Sequence, residues 1–322
     1  MRVASLHGVT IAWSIEGLLD DPLEAIFAEG SGPIGDRVAC RFTLRAADGA
    51  AADPRAEGWE PSFFHGIVQA HRRGDAFLLW DRASRVTVCA GLVEGEIAPA
   101  DREIEPGSAG AMLEIALALA LRSAGLFHMH AAALALPSGQ SALIVGGSGA
   151  GKTSTTLALL EAGARYLGDD ALFLRRDESG LTAAAFPRLF HLGPATLSAF
   201  PRLSSLAGPP AGRRDKRPLD PRVAWPDRRL GALALDPGRV IAIFPSIADA
   251  PRTEIGPMPR ADAFGLLLSS SAALVIEGLG GRAENVDLLR ALLAASRGFE
   301  LRLGRDALAD PAQAVAAAIL GH

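Results

Sequence analysis

Residues 146–153 read Gly-Gly-Ser-Gly-Ala-Gly-Lys-Thr and satisfy G-x-x-x-x-G-K-[ST] at every fixed position. Each residue type has a chemical reason to be there. Gly146, Gly147, Gly149 and Gly151 let the backbone fold around an anion with no side chain in the way. The N–H groups of this loop, from Gly146 through Ser148 and Ala150 to Ser154, then point inward at phosphate oxygens. Lys152 supplies a point positive charge for the β- and γ-phosphates, and Thr153 offers a hydroxyl to Mg²⁺. Two adjacent carboxylates, Asp169 and Asp170, follow 17 and 18 residues after Lys152. Beside a bound triphosphate, one carboxylate can hold the metal and the other can accept a proton from an attacking hydroxyl. Taken alone, Gly-Asp-Asp is an ordinary polar turn. It is the phosphate loop upstream that turns the pair into candidate machinery.

Those groups need a strand before the loop, a helix after it and a second strand leading to the aspartates. Ala142–Val145 is apolar and strand-like, Lys152–Ala162 is helix-forming with Gly163 as its C-terminal cap, and Arg165–Leu167 reads as a short strand. In an α/β sheet this order brings Asp169 and Asp170 to the carboxyl edge, next to the phosphate loop. The helix N-terminus adds its positive end to the same phosphates. A hairpin is expected upstream, with His128–Leu136 pairing Ser141–Val145 across Pro137–Gln140. Strand alternation would put His128 and His130 on one face. His7, His65, His71 and His191 carry no comparable context and read as ordinary core or surface histidines.

The rest of the chain sorts into regions. Residues 1–105 are β-rich, with strand candidates at Val9–Trp13, Val38–Leu44, Ala76–Trp80 and Arg85–Val93 and a short helix at Leu18–Ala28. Residues 106–322 hold the motif region. They open with a helix over 108–125 and close with helices at Ala261–Ser269, Ala283–Ala295 and Asp310–Leu320 and strands at Val240–Phe244 and Phe299–Leu303. The stretch 187–235 is rich in Pro and Arg and shows no periodicity.

Composition narrows the function classes. A net charge of -4 gives no general pull toward nucleic acid, and the basic run Arg213, Arg214, Lys216, Arg217 is short. Cys40 and Cys89 are far apart and form no metal-ligand spacing, which points to a reducing cytoplasm. The apolar stretch Ala109–Leu126 is interrupted by Glu114 and Arg122, so a buried helix is expected rather than a membrane span.

The segment Met129–Leu174, about one-seventh of the chain, resembles the catalytic domain of HPr kinase/phosphorylase. It looks closer still to HPr-kinase-related serine kinases of peptide-modification clusters, including lasso-peptide precursor kinases. The resemblance rests on a His-Ala strand, a hairpin, GGSGAGKT, a helix, a Gly, and a strand ending in Asp-Asp. It implies an α/β P-loop kinase domain of the HPr kinase/phosphoenolpyruvate carboxykinase type, with ATP and Mg²⁺. It implies that Asp170 is the base toward a serine hydroxyl, that Asp169 supports the metal with Thr153, and that His130 sits by the transferring phosphate. It implies an acceptor that is a small protein or peptide (HPr-like, or ribosomally made) and makes a homo-oligomer plausible. The family's glutamate-bearing metal segment has no counterpart here. Phe186–Gly193 (FPRLFHLG) stands in its approximate place, which puts a second metal site and the reverse phosphorylase reaction in doubt. Lys216 and Arg217 are the preferred candidates for stabilising transition-state charge. A nucleotide-binding regulatory subunit and a small-molecule kinase of the same fold are the alternatives. The base-binding residues have no signature in the sequence, so GTP and pyrophosphate stay open as donors.

Overall fold

Two hydrophobic patterns run through the chain. In one, buried and exposed residues alternate, as along Val38–Ala46, so that one face of a strand is covered. In the other, every residue is buried, as along Ser141–Val145, which a sheet covered on both faces requires. The patterns belong to two compact units, one built on Met1–Phe127 and the other on His128–Ala272 with Glu284–His322. The computed structural model describes residues 1–18, 21–27, 34–35, 37–104, 107–186, 188–210, 215–271 and 282–320.

The first unit contains β1 (Arg2–Leu6), β2 (Val9–Glu16), α1 (Pro22–Phe27), β3 (Val38–Ala46), β4 (Glu60–His65), β5 (Val68–Arg73), β6 (Ala76–Trp80), β7 (Arg85–Cys89), β8 (Leu92–Ile97) and α2 (Ser108–Arg122). Its strands form one sheet in the order β1-β2-β3-β8-β7-β6-β5-β4. The run Arg85–Val93, expected as one strand, is a hairpin that turns at Ala90 and Gly91, both at positive φ (45° and 84°). Helix α2 lies against β5 to β8 and buries Met112, Leu113, Ala116, Leu117 and Leu121 completely. The sequence grouped this helix with the motif region. Its apolar residues pack on the first sheet instead, and the division between the units falls after Phe127.

The second unit contains β9 (Phe127–Met129), β10 (Ala131–Ala135), β11 (Ser141–Val145), α3 (Lys152–Glu161), β12 (Arg165–Gly168), β13 (Leu172–Asp177), β14 (Gly180–Ala185), β15 (Phe190–Leu192), α4 (Pro194–Ala199), α5 (Pro201–Ser204), β16 (Arg217–Leu219), α6 (Pro221–Ala224), β17 (Ala232–Ala234), β18 (Val240–Ile247), β19 (Glu254–Pro257), α7 (Arg260–Ser270), α8 (Arg282–Ala295), β20 (Ser296–Leu303), α9 (Asp306–Ala309) and α10 (Pro311–Leu320). The central sheet has the order β12-β10-β11-β18-β20-β19. Strands β11, β18 and β20 are parallel, while β10 runs antiparallel to both β11 and β12. The carboxyl ends of β11, β12, β18 and β20 and the amino end of β10 therefore share one sheet edge.

That shared edge is what the sequence order needed to assemble chemistry. Helices α3 and α10 contact each other, and their Leu157, Leu160, Val315 and Ile319 join one core with Ile144, Ile243 and Leu301 of the sheet. The expected single strand His128–Leu136 is broken. The His130 N–H donates to the Ser270 carbonyl at 3.1 Å instead of joining a ladder, so β9 turns into the sheet of β13, β14 and β17 while β10 pairs with β11. No helix among the described residues is long and apolar enough to cross a membrane.

Candidate functional site

Five chain segments converge on the shared edge. Gly146 follows β11, Asp169 and Asp170 follow β12, His130 precedes β10, Ala248 follows β18, and Gly304 follows β20. The loop from Gly146 to Gly151 joins β11 to α3. Gly149 and Gly151 sit at φ 83° and 101°, the left-handed region that residues with a Cβ rarely adopt. At Gly151 the constraint is also spatial, because a Cβ there would lie 2.4 Å from Leu303 Cδ1. Gly151 caps α3 and has no side chain to bond the first N–H groups of that helix, which begins directly at the loop.

Lys152 begins α3 and is nearly buried, its side chain 4% exposed. Its ammonium lies 3.2 Å from Asp170 Oδ1, 3.0 Å from His130 Nε2 and 3.4 Å from the Gly147 carbonyl. His130 Nδ1 lies 2.7 Å from the Asp170 carbonyl oxygen. A carbonyl can only accept, so Nδ1 carries the proton and Nε2 presents its lone pair to Lys152. Asp170 makes this possible by adopting φ 64°, a left-handed backbone that aspartate tolerates better than most residues. Its carbonyl thus meets His130 while its carboxylate meets Lys152.

The two carboxylates are set apart electrically. Burial pushes the Asp170 carboxyl up, but the Lys152 ammonium outweighs it and holds the group below the usual carboxylate range. Asp169 is buried, and burial, with Asp170 next to it, pushes its carboxyl up to about 7 against the pull of Thr153 and Lys152. Thr153 Oγ1 donates to Asp169 Oδ2 at 2.8 Å. Asp169 Oδ1 is buried and has no hydrogen-bond partner among the described residues. A buried, half-satisfied carboxylate beside a phosphate-loop hydroxyl suits a hard divalent cation, which would keep Asp169 ionised. Among the described residues no group of three or more His, Cys, Asp or Glu side chains is clustered to hold a metal by itself. A cation held there would take its remaining ligands from bound oxygens or water. His130 is depressed below the usual histidine range, first by burial and then by Lys152.

The sequence-derived residues do not all fall here. Gly147, Ser148, Gly149, Gly151, Lys152, Thr153, Ser154, Asp170 and His130 line one cleft of about 540 Å³. Gly146 and Ala150 complete the loop behind it, the Gly146 Cβ position lying 3.1 Å from Ala150 Cβ. His128, expected to share a face with His130, packs edge-on against Phe173 and Phe186 at 6.2 and 6.0 Å. Arg217 is committed elsewhere. Its guanidinium donates to the carbonyls of Gly208, Ala207 and Ser204 at 2.7, 2.6 and 3.0 Å, which ties β16 to the end of α5. Lys216 does line the cleft. Arg213 and Arg214 lie outside the described residues.

The sequence reading took His191 for an ordinary core or surface histidine, whereas the structure sets it on the cleft. Strand β15 pairs with β16, with Phe190 and Leu192 buried on one side and His191 alternating toward the cleft next to Lys216. Burial, then Arg188 and Lys216, depress its imidazole below the usual range. The period-2 pattern Phe-His-Leu could have signalled this, but a three-residue strand inside the Phe186–Gly193 stretch offers too little periodicity to detect. Thr196 of α4 was also missed. Its hydroxyl lies 3.4 Å from that of Ser154 across the cleft.

No protein-family model matches the sequence, and no curated protein matches it. Among solved structures the chain is similar to the Hpr(Ser) kinase/phosphatase from Coxiella burnetii, with 14% identity over 41% of this chain and 72% of that chain, at a TM-score of 0.27. A likeness that slight leaves the site to stand on its own geometry.

Proposed function

We propose that the protein is an ATP-dependent kinase that transfers the γ-phosphoryl group to a serine hydroxyl of a small protein or peptide. The observation that carries this reading is the Lys152–Asp170–His130 triangle at the mouth of the phosphate loop, with contacts of 3.2, 3.0 and 2.7 Å. A protein that only sensed nucleotide would need the lysine and the loop. It would have no need of an ionised carboxylate held beside the terminal phosphate.

Each residue then has a task. Asp170 is ionised at neutral pH, and its carboxylate takes the proton of the attacking hydroxyl as the new O–P bond forms and the bond to the β-phosphate oxygen breaks. Lys152 leaves Asp170 for the β- and γ-phosphates when the nucleotide arrives. Neutral His130 keeps that ammonium aimed through Nε2. Thr153 and Asp169 would hold Mg²⁺, which supplies charge neutralisation on the phosphate oxygens. Lys216, which lines the same cleft beside His191, would stabilise transition-state charge. The rate comes mostly from positioning and charge compensation, as phosphoryl transfer requires. An HPr-like protein or a ribosomally made peptide is the acceptor class, and a cytoplasmic homo-oligomer is the proposed setting.

The test is incubation with γ-labelled ATP, Mg²⁺ and synthetic peptides encoded beside the gene, read by mass spectrometry. A phosphoserine product dependent on Asp170 is expected. Tight ATP binding with no product from any acceptor would replace the kinase with a sensor.

A further inference from the structure

The strands β15 and β16 form a two-stranded sheet of their own, and its two edges differ. A proline decides the pattern. His191 is paired with Pro218, between the pairs Phe190 with Leu219 and Leu192 with Arg217. Pro218 has no N–H, so this middle pair cannot exchange ladder bonds, and both residues turn their main-chain groups outward. On the β16 side the outward group is covered, because the Gly208 N–H donates to the Pro218 carbonyl at 2.7 Å. On the β15 side the His191 N–H and carbonyl have no hydrogen-bond partner among the described residues.

This bare edge belongs to the cleft. His191 and Gly193, two residues apart along it, line the cleft, whereas Phe190 and Leu192 are buried in the core. Gly193 is extended (φ -75°, ψ 165°) and has open space around its Cβ position. With no side chain, it borders the cleft with its main chain. Asp170 lines the same cleft, and its charge acts on the His191 imidazole. That imidazole bonds to the Leu189 backbone, so what His191 leaves unpaired is its main chain.

A strand edge of this kind is completed by another extended chain. The N–H and carbonyl of one edge residue match the carbonyl and N–H of one residue in an antiparallel neighbour. A helix has already used these groups internally, and a small alcohol does not carry them. Resting on the reading of Asp170 as the base toward a serine hydroxyl, we infer that the acceptor segment enters the cleft as an extended strand and pairs through its main chain with His191 on the open edge of β15. The protein thus reads its acceptor by backbone, with the serine carried to Asp170 by the pairing.

The experiment gives the full chain γ-labelled ATP, Mg²⁺ and three kinds of acceptor. These are short end-blocked peptides of degenerate sequence around one serine, the same peptides N-methylated at each flanking position in turn, and N-acetylserine amide. Labelling of the peptides is expected to exceed that of the amide by at least about tenfold, and N-methylation at one flanking position to lower it by at least about tenfold. His191→Pro removes the N–H on the open edge and no ladder bond, whereas His191→Ala keeps both main-chain groups. Peptide labelling by His191→Pro is expected to be at least about tenfold below that by His191→Ala, with ATP titration checking that each variant keeps its phosphate loop. If His191→Pro fails to bind ATP, the N-methylated peptides decide the matter on the wild type. Equal labelling of peptides and amide, labelling indifferent to N-methylation at every position, or equal labelling by the two variants overturns the inference and leaves the kinase reading standing. ATP binding with no labelled product from any acceptor removes the kinase reading, and this inference with it.

Discussion

Replacing Asp170 by Asn separates binding from transfer, and the structure sets the size of each effect. Asparagine tolerates the left-handed backbone at φ 64° as well as aspartate does, so the carbonyl still accepts from His130 Nδ1. What goes is the charge 3.2 Å from Lys152. At an effective dielectric of about 20 the gross attraction at that distance is about 5 kcal/mol. Rehydration and the remaining contact to His130 offset most of it, leaving a stability loss of about 1–3 kcal/mol. The same loss frees Lys152 for the triphosphate, because the wild type must break the ion pair to bind. ATP affinity is therefore expected to stay the same or tighten by up to about tenfold. Transfer is expected to fall by about 10²–10⁴, the usual worth of a positioned general base. Titration with ATP, thermal melts and single-turnover release of labelled phosphate read the three quantities separately. A variant that transfers at more than a tenth of the wild-type rate would show that Asp170 is not the base. One that binds ATP more weakly would show that the ion pair does not restrain Lys152.

Gly151→Ala is expected to lose about 2–3 kcal/mol of stability by thermal melt, from the left-handed backbone and the contact with Leu303. Gly147→Ala, with open space around its Cβ position, should stay within about 1 kcal/mol. Thr153→Val should bind ATP without metal within about threefold of wild type and lose the gain from added Mg²⁺; a persisting gain rules out this hydroxyl as a ligand. Arg217→Ala should lower the melting temperature by releasing its carbonyl contacts, at about 2–4 kcal/mol, and leave phosphate affinity unchanged, whereas Lys216→Ala should do the reverse. His191 carries a depressed pKa, so the unfolded chain takes up its proton first as pH falls through about 6.5, and stability drops. Melts of His191→Gln should therefore decline less than wild type between pH 7.5 and 5.5. Asp169, raised in the folded state, acts with the opposite sign, but equally in both proteins.

Much of the site was legible because it lies close together in sequence. Gly146 to Ser154 form a contiguous loop and helix start, and β12 is so short that Asp169 and Asp170 could only end at its edge. The antiparallel insertion of β10 between β11 and β12 was not legible, since strand order is decided by long-range pairing. That insertion, rather than alternation along a single strand, brings His130 to Lys152. Helix α2 was recognised as a helix but assigned to the wrong neighbours, because an all-apolar alanine-rich surface does not say which sheet it covers. His191 was taken for an ordinary histidine for a related reason: its strand is far from the loop in sequence, and the two line one cleft only in the folded chain.

The polarity of the central sheet also divides it into a reactive edge and a plain one. The connections before β12, β18 and β20, and the hairpin Pro137–Gln140, all lie at the edge away from the cleft. Pro137, Ser138 and Gly139 are exposed there. The molecule thus has a natural handle. A tag, a dye or a surface linkage placed at Ser138 would hold the protein by its blind side and leave the cleft open to whatever approaches it.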